Sequence, residues 1–161
     1  MMQRDWFKRD LRIHDHEALN SAARAGPVIP LYIVEPELWS QADCSQRQWD
    51  FLRDNLVDLR RALSEIGQPL VVRTGEACEV LRNLVVRHRV EAIWSDLETG
   101  NDWTFKRDLK VADLLTRRGI RWHQMRQHGV VRGALNRDRW SRQWEQLMRA
   151  QPLGKPPLLA V

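Results

Sequence analysis

The chain has 161 residues, 43% hydrophobic and 29% charged, which excludes an intrinsically disordered segment and provides for one ordinary domain with its own core. Lys plus Arg number 26 against 21 Asp plus Glu, a net charge of +5 that favours polyanionic partners without identifying one. Cys44 and Cys78 form no CxxC, the first residues are too charged for a secretory leader, and no apolar run approaches the ~20 residues of a membrane span; these features predict a soluble cytoplasmic protein with no disulfide framework and no metal site.

Taken in chain order, residues 1–7 are assigned to a first strand, although Gln3, Arg4 and Asp5 interrupt the apolar run expected of a central one. A short helix follows from Asp15 as N-cap through Ala18, Leu19, Ala22 and Ala23 to Gly26, where a left-handed C-cap costs little. Val28–Val34 reads as a buried strand. The clearest helix follows Ser45: Trp49, Leu52, Leu56, Leu59, Leu63 and Ile66 step by three and four before Gly67 stops it.

A third strand is placed at residues 69–74, then a helix over residues 76–89 with Val80, Leu81, Leu84 and Val85 inward. A fourth strand covers residues 92–96, and a helix from Asp102 carries Phe105, Leu109, Ala112 and Leu115 up to Gly119. A last strand at residues 120–125 precedes a basic helix over residues 136–149, with Trp140, Trp144 and Leu147 on one side. Pro152, Gly154, Pro156 and Pro157 mark residues 151–161 as a linker. Short buried strands alternating with helices predict an α/β fold: a three-layer, doubly wound, five-stranded parallel sheet of Rossmann-like type, occupying residues 1–150.

Neither GxGxxG nor GxxxxGK[ST] follows the first strand, and no GxSxG elbow is present. His14 and His16 come closest to a metal pair, but at a helix start they read as solvated. Ligands of open α/β sheets sit at the carboxyl ends of the strands, which here carry Lys8, Arg9, Asp10 and Arg12, then Glu35, then Asp96 and Glu98. Such a set suits a polar aromatic ligand, and equally suits mutual pairing and helix capping; position alone leaves both open. The eight tryptophans read as core and interface packing.

The stretch Trp6-Phe7-Lys8-Arg9-Asp10-Leu11-Arg12-Ile13-His14-Asp15, followed by Glu17-Ala18-Leu19, closely resembles the opening signature of the DNA photolyase and cryptochrome family. The similarity continues through Pro30-Leu31-Tyr32-Ile33-Val34-Glu35-Pro36, Ser45-Gln46-Arg47, residues 69–75 and Arg107-Asp108, over nearly the whole chain. The resemblance implies the amino-terminal domain that holds a light-harvesting antenna chromophore in this family. FAD, the lesion pocket and the electron-transfer tryptophans belong to a following helical domain, with the linker beginning at residues 151–161.

Carried over position by position, the resemblance implies chromophore contacts from Arg9, Asp10, Tyr32, Glu35, Arg47, Asp96, Glu98 and Arg107, with Tyr32 and Arg47 sandwiching a planar ring. Residues 99–106 make a longer insertion than in deazaflavin or folate binders. Trp103 within it would fill the pocket or stack on a different chromophore such as a flavin nucleotide. The antenna that the resemblance implies is a deazaflavin, methenyltetrahydrofolate or a flavin nucleotide, its identity left open. No catalytic residue is assigned to the domain itself; the whole protein would be a photolyase splitting pyrimidine dimers in UV-damaged DNA by electron transfer from FAD.

The alternatives are a cryptochrome-type blue-light receptor and a stand-alone nucleotide-binding α/β protein. A third is a nucleic-acid module using Arg132, Arg137, Arg139, Arg142, Arg149 and Lys155.

Overall fold

A computed structural model describes residues 2–130 and 136–160, so Arg132 lies outside the described residues. Five strands, β1 (Met2–Phe7), β2 (Val28–Val34), β3 (Val71–Thr74), β4 (Val90–Asp96) and β5 (Arg121–Met125), form a wholly parallel sheet in the order β3-β2-β1-β4-β5. The helices are α1 (Glu17–Ala25), a single turn α2 (Pro36–Trp39), α3 (Gln46–Glu65), α4 (Ala77–Arg87), α5 (Asp102–Arg117) and α6 (Arg137–Met148). This is the expected α/β architecture, with α2 as an addition: Pro36 pre-sets the first turn and the chain leaves it within four residues.

Each sheet face buries its own cluster. Trp6, Leu31 and Ile33 meet Ala77, Cys78 and Leu81 of α4 and Val111 and Leu115 of α5. On the other face, Phe7, Val28 and Tyr32 meet Leu19 and Ala22 of α1 and Leu59 and Leu63 of α3. The single-residue alternation of Trp6 and Phe7 between the two clusters is the period-two signature of a strand covered on both sides.

The weakest strand of the sequence proves to be the central one. Gln3, Arg4 and Asp5 are 2%, 2% and 0% exposed, inside β1 between β2 and β4. Gln3 is satisfied by accepting from Trp94 Nε1 at 2.9 Å and donating to Glu91 at 3.2 Å. Asp5 and the Arg4 Nε and Nη1 atoms have no hydrogen-bond partner among the described residues. The strand exists because its backbone pairs on both sides and its apolar neighbours bury, not because every side chain favours burial.

Three local expectations are corrected. The N-cap of α1 is His16, not Asp15: His16 accepts from Leu19 N, while Asp15 sits at φ 51 and turns its carboxylate to Leu153 N. On α5 the inward residues are Thr104, Arg107, Asp108, Val111 and Leu115, whereas Phe105 and Leu109 are 40% and 56% exposed. The apolar stripe is rotated because two charged residues of α5 bury in ion pairs. The α6 helix has no buried residue; Trp140 and Trp144 stack at 6.3 Å and lean on Gly129.

The Pro-rich segment folds back as a strap. Leu153 exchanges hydrogen bonds with Asp15 at 2.9 Å, and Leu159 N donates to Ile66 O at 2.7 Å while its side chain enters the α1/α3 cluster. Gly67 permits this at φ +106; a Cβ there would lie 2.8 Å from Leu159 O.

Candidate functional site

The strand order reverses between β1 and β4, so the loops leaving those strands diverge and open a crevice at the carboxyl edge. The charged residues predicted there do converge, and they divide into three assemblies.

The first is a buried ion network above Trp6. Arg107 reaches Glu35 at 2.5 Å, Glu98 at 3.3 Å and Asp108 at 3.0 Å, and Asp108 also holds Lys8 at 2.9 Å. Both cations lie over indoles: Lys8 Nζ is 4.7 Å from the Trp6 ring centre and 5.0 Å from that of Trp122, and Arg107 Cζ is 5.0 Å from Trp6. Burial lowers the Lys8 pKa despite Asp108, and burial raises Glu35 to about 7 against the pull of Arg107. The exposed Arg9 reaches the same network through Glu98 at 3.3 Å.

The second assembly is a junction of Asp10, His16 and Asp96. His16 Nε2 contacts Asp10 Oδ2 and lies 3.9 Å from Asp96 Oδ2, and Gln127 donates to Asp96. Burial would raise Asp10, but hydrogen bonds from His16 and Asp96 hold it below the usual range; burial and the ionised Asp10 push Asp96 up to about 10. Asp96 thus holds a proton more tightly than a free carboxyl does, and Asp10 less tightly.

His16 corrects the reading that it is solvated, being fully buried while His14 is exposed. The three ligand-type atoms lie within 4.8 Å of one another, yet the arrangement is not that of a metal triad. A metal on Nε2 needs Nδ1 to carry the hydrogen and donate it. Here Nδ1 accepts from Leu19 N at 3.0 Å, so the neutral ring holds its hydrogen on Nε2 and donates toward the carboxylates.

The third is an open cavity of about 610 Å³ between the loop after β1, the end of β2 and the first turns of α3. Its aromatic walls are Tyr32, Trp39 and Phe51, and its polar atoms come from Arg9, Asp10, Arg12, Gln48, Asn55 and Asn101. Gln48, Phe51, Leu52 and Asn55 recur at three, four and seven residues, one face of α3, presented by a Ser45–Gln48 capping box.

Of the residues singled out from sequence, Arg9, Asp10 and Tyr32 line this cavity. Glu35, Glu98 and Arg107 are the ion network, and Asp96 is in the His16 junction. Arg47 is exposed on α3 and is not in the cavity lining; Trp103 lies across the network in a separate groove, 5.8 Å from Arg107 Cζ. Sequence reasoning missed Phe51, Trp39, Gln48 and Asn55. For the α3 residues the signal lies in their spacing, on a face beside the apolar core stripe.

A family model described as DNA photolyase matches residues 5–138, most of the chain. The chain belongs to the DNA photolyase family. Within that family it is 34% identical to cryptochrome DASH of Gloeobacter violaceus over 114 residues, covering 66% of this chain and 23% of the relative. It is 41% identical over 70 residues to deoxyribodipyrimidine photo-lyase of Escherichia coli, covering 42% of this chain and 15% of the relative.

Among solved structures, a photolyase from Sulfolobus tokodaii described with two FAD molecules superposes with TM-score 0.80 at 24% identity, over 98% of this chain and 37% of that one. A class III photolyase of Agrobacterium tumefaciens gives TM-score 0.77 at 24% identity, over 99% of this chain and 35% of that one. The chain thus spans only part of the length of its curated relatives, 23% of cryptochrome DASH of Gloeobacter violaceus and 27% of a blue-light photoreceptor of Arabidopsis thaliana. No helix among the described residues is long and apolar enough to cross a membrane.

Proposed function

We propose that this domain is the light-harvesting part of a photolyase-like flavoprotein and that the cavity beside α3 holds its antenna chromophore. The supporting observation is the cavity itself: about 610 Å³ at the carboxyl ends of the strands, with Tyr32, Trp39 and Phe51 as flat walls among polar and charged side chains. That volume and lining suit a planar heteroaromatic ring with a polar tail. The ring systems of a deazaflavin, methenyltetrahydrofolate and a flavin nucleotide all match this chemistry. A flavin nucleotide gains weight from the two FAD molecules of the Sulfolobus tokodaii photolyase, whose description names a novel light-harvesting cofactor.

When bound, the chromophore supplies light absorption and passes excitation onward. The residues of this chain bind and orient it: Phe51 and Tyr32 exclude water from the ring, and Arg9, Arg12 and Asn55 offer donors to its acceptors. FAD would sit in a following helical domain, and the whole protein would repair UV-induced pyrimidine dimers in DNA by electron transfer. The cryptochrome reading rests on the cryptochrome DASH and blue-light photoreceptor relatives, and it shares the same cavity. The stand-alone nucleotide-binding reading lacks a phosphate loop.

The test is uptake of each of the three chromophores by the purified chain, read by absorbance after gel filtration. One of them is expected to co-elute, and Phe51→Ala to weaken it about fivefold or more, as loss of one stacking wall worth ~1–3 kcal/mol requires. Arg47→Ala, outside the cavity lining, is expected to change uptake less than about twofold. Failure of all three to bind overturns the proposal.

A further inference from the structure

On the side of the ion network away from the cavity, two adjoining grooves of about 240 and 390 Å³ share Glu37, Glu76 and Trp103 as walls. They share no lining residue with the chromophore cavity. Glu35 lines the smaller groove: it is 3% exposed, its Oε2 is taken by Arg107, and its buried Oε1 has no hydrogen-bond partner among the described residues. An acceptor oxygen left unpaired at such burial costs roughly 1–3 kcal/mol, so a donor arriving from the groove would recover it.

The charge around this acceptor is set by what is already spoken for. Arg107 is held by Glu35, Glu98 and Asp108, and Lys106 by Asp102 at 2.5 Å. The acidic character belongs to the smaller groove, which Glu35, Glu37 and Glu76 line with no cation among its lining residues, whereas Lys106, Arg107 and Lys110 line the larger one; Glu76 Oε2 also caps α4 by accepting from Glu79 N at 2.9 Å. Trp103 adds a flat face, and Arg107 Cζ already lies 5.8 Å from its ring centre, which shows that the indole accepts a guanidinium as neighbour. A flat ring, one orphaned carboxylate oxygen and an acidic rim call for a planar cation with several N–H donors. A compact ammonium would leave the indole face uncovered.

We infer that the groove between Glu35, Glu37, Glu76 and Trp103 is a second binding site, selective for a guanidinium or amidinium group. The group would lie against Trp103 and donate to Glu35 Oε1, with Glu37 and Glu76 closing the charge. The same chemistry is carried by a free small cation and by an arginine of a partner protein.

Benzamidine and its neutral isostere benzamide are titrated into the full chain by isothermal calorimetry, alongside the peptide acetyl-Gly-Arg-Gly-amide. Saturable one-to-one binding of benzamidine, at least tenfold tighter than benzamide, is expected. Trp103→Leu and Glu35→Gln are each expected to weaken it fivefold or more. Because Glu35 also supports Arg107, each variant is first checked by circular dichroism; the half-buried Trp103→Leu carries the test if Glu35→Gln does not fold. A peptide that binds more tightly than benzamidine points to a protein arginine, and the reverse order to a free cation. Absent saturation, equal binding of benzamide, or an affinity unchanged in Trp103→Leu overturns the inference. None of these outcomes bears on chromophore uptake in the other cavity, so the two readings fail separately.

Discussion

His16 occupies its buried position because each ring nitrogen has a different duty. Nδ1 caps α1 by accepting from Leu19 N, and Nε2 donates into the Asp10–Asp96 pair. Removing the ring uncaps the helix, at about 1 kcal/mol, and takes from the buried Asp10 the nearest of its donors, leaving it Asp96 and the Lys8 N–H, which costs a further ~2 kcal/mol or more. His16→Ala is therefore expected to lose roughly 3 kcal/mol or more in urea unfolding. His16→Asn restores the cap but cannot reach Asp10, so it should recover about 1 kcal/mol of that loss. Equal stability of the two variants would show that the cap is not the ring's duty.

At the scale of elements, the strap after α6 contributes to the core. Leu159 is 4% exposed among α1 and α3 side chains, whereas its neighbour Leu158 is 78% exposed. Leu159→Ala is expected to cost about 2–4 kcal/mol, a fall of very roughly 5–10 °C in Tm by calorimetry. Leu158→Ala should leave Tm within about 1 °C. A Leu159→Ala variant as stable as the parent would mean that the strap is detached in solution. The same element-level logic explains α5: its helical period was legible, but its inward face was misassigned because Arg107 and Asp108 bury together with Glu35 and Lys8 rather than facing water.

For the whole molecule, the stability curve should carry the mark of Asp5. Fully buried in the central strand, Asp5 is raised by burial to about 7, with His16 pulling it down and Asp10 pushing it up. Its folded pKa lies above its unfolded one, so its favourable contribution is complete below about pH 4 and is lost as pH rises to about 7. A shift of that size corresponds to a ceiling of roughly 4 kcal/mol. Asp5→Asn is neutral and nearly isosteric, so its stability relative to the parent should improve by about 2 kcal/mol or more between pH 5 and pH 8. A difference independent of pH would assign the titration to another group, such as Glu35 or Asp96.

The alternation of strands and helices, the α3 stripe with its Ser45 cap, the turn at Gly67 and the Trp6-to-Asp15 signature of the family are all legible in the amino-acid order alone. Those features are written locally, in periodicity, caps and motif, and need no knowledge of distant neighbours. The same order also places charge at the carboxyl edge of the sheet. What that charge does follows from long-range packing. Glu35 and Arg107 are 72 residues apart, and Lys8 and Asp108 are 100, so their pairing depends on a sheet order that no local pattern records. Once paired and buried, they form a floor, while Phe51 and Tyr32 line the cavity on one side and Trp103 the groove on the other. Burial separates these roles, because a carboxylate in a dry interior is governed by its nearest cation, whereas the same residue in an isolated strand is governed by water.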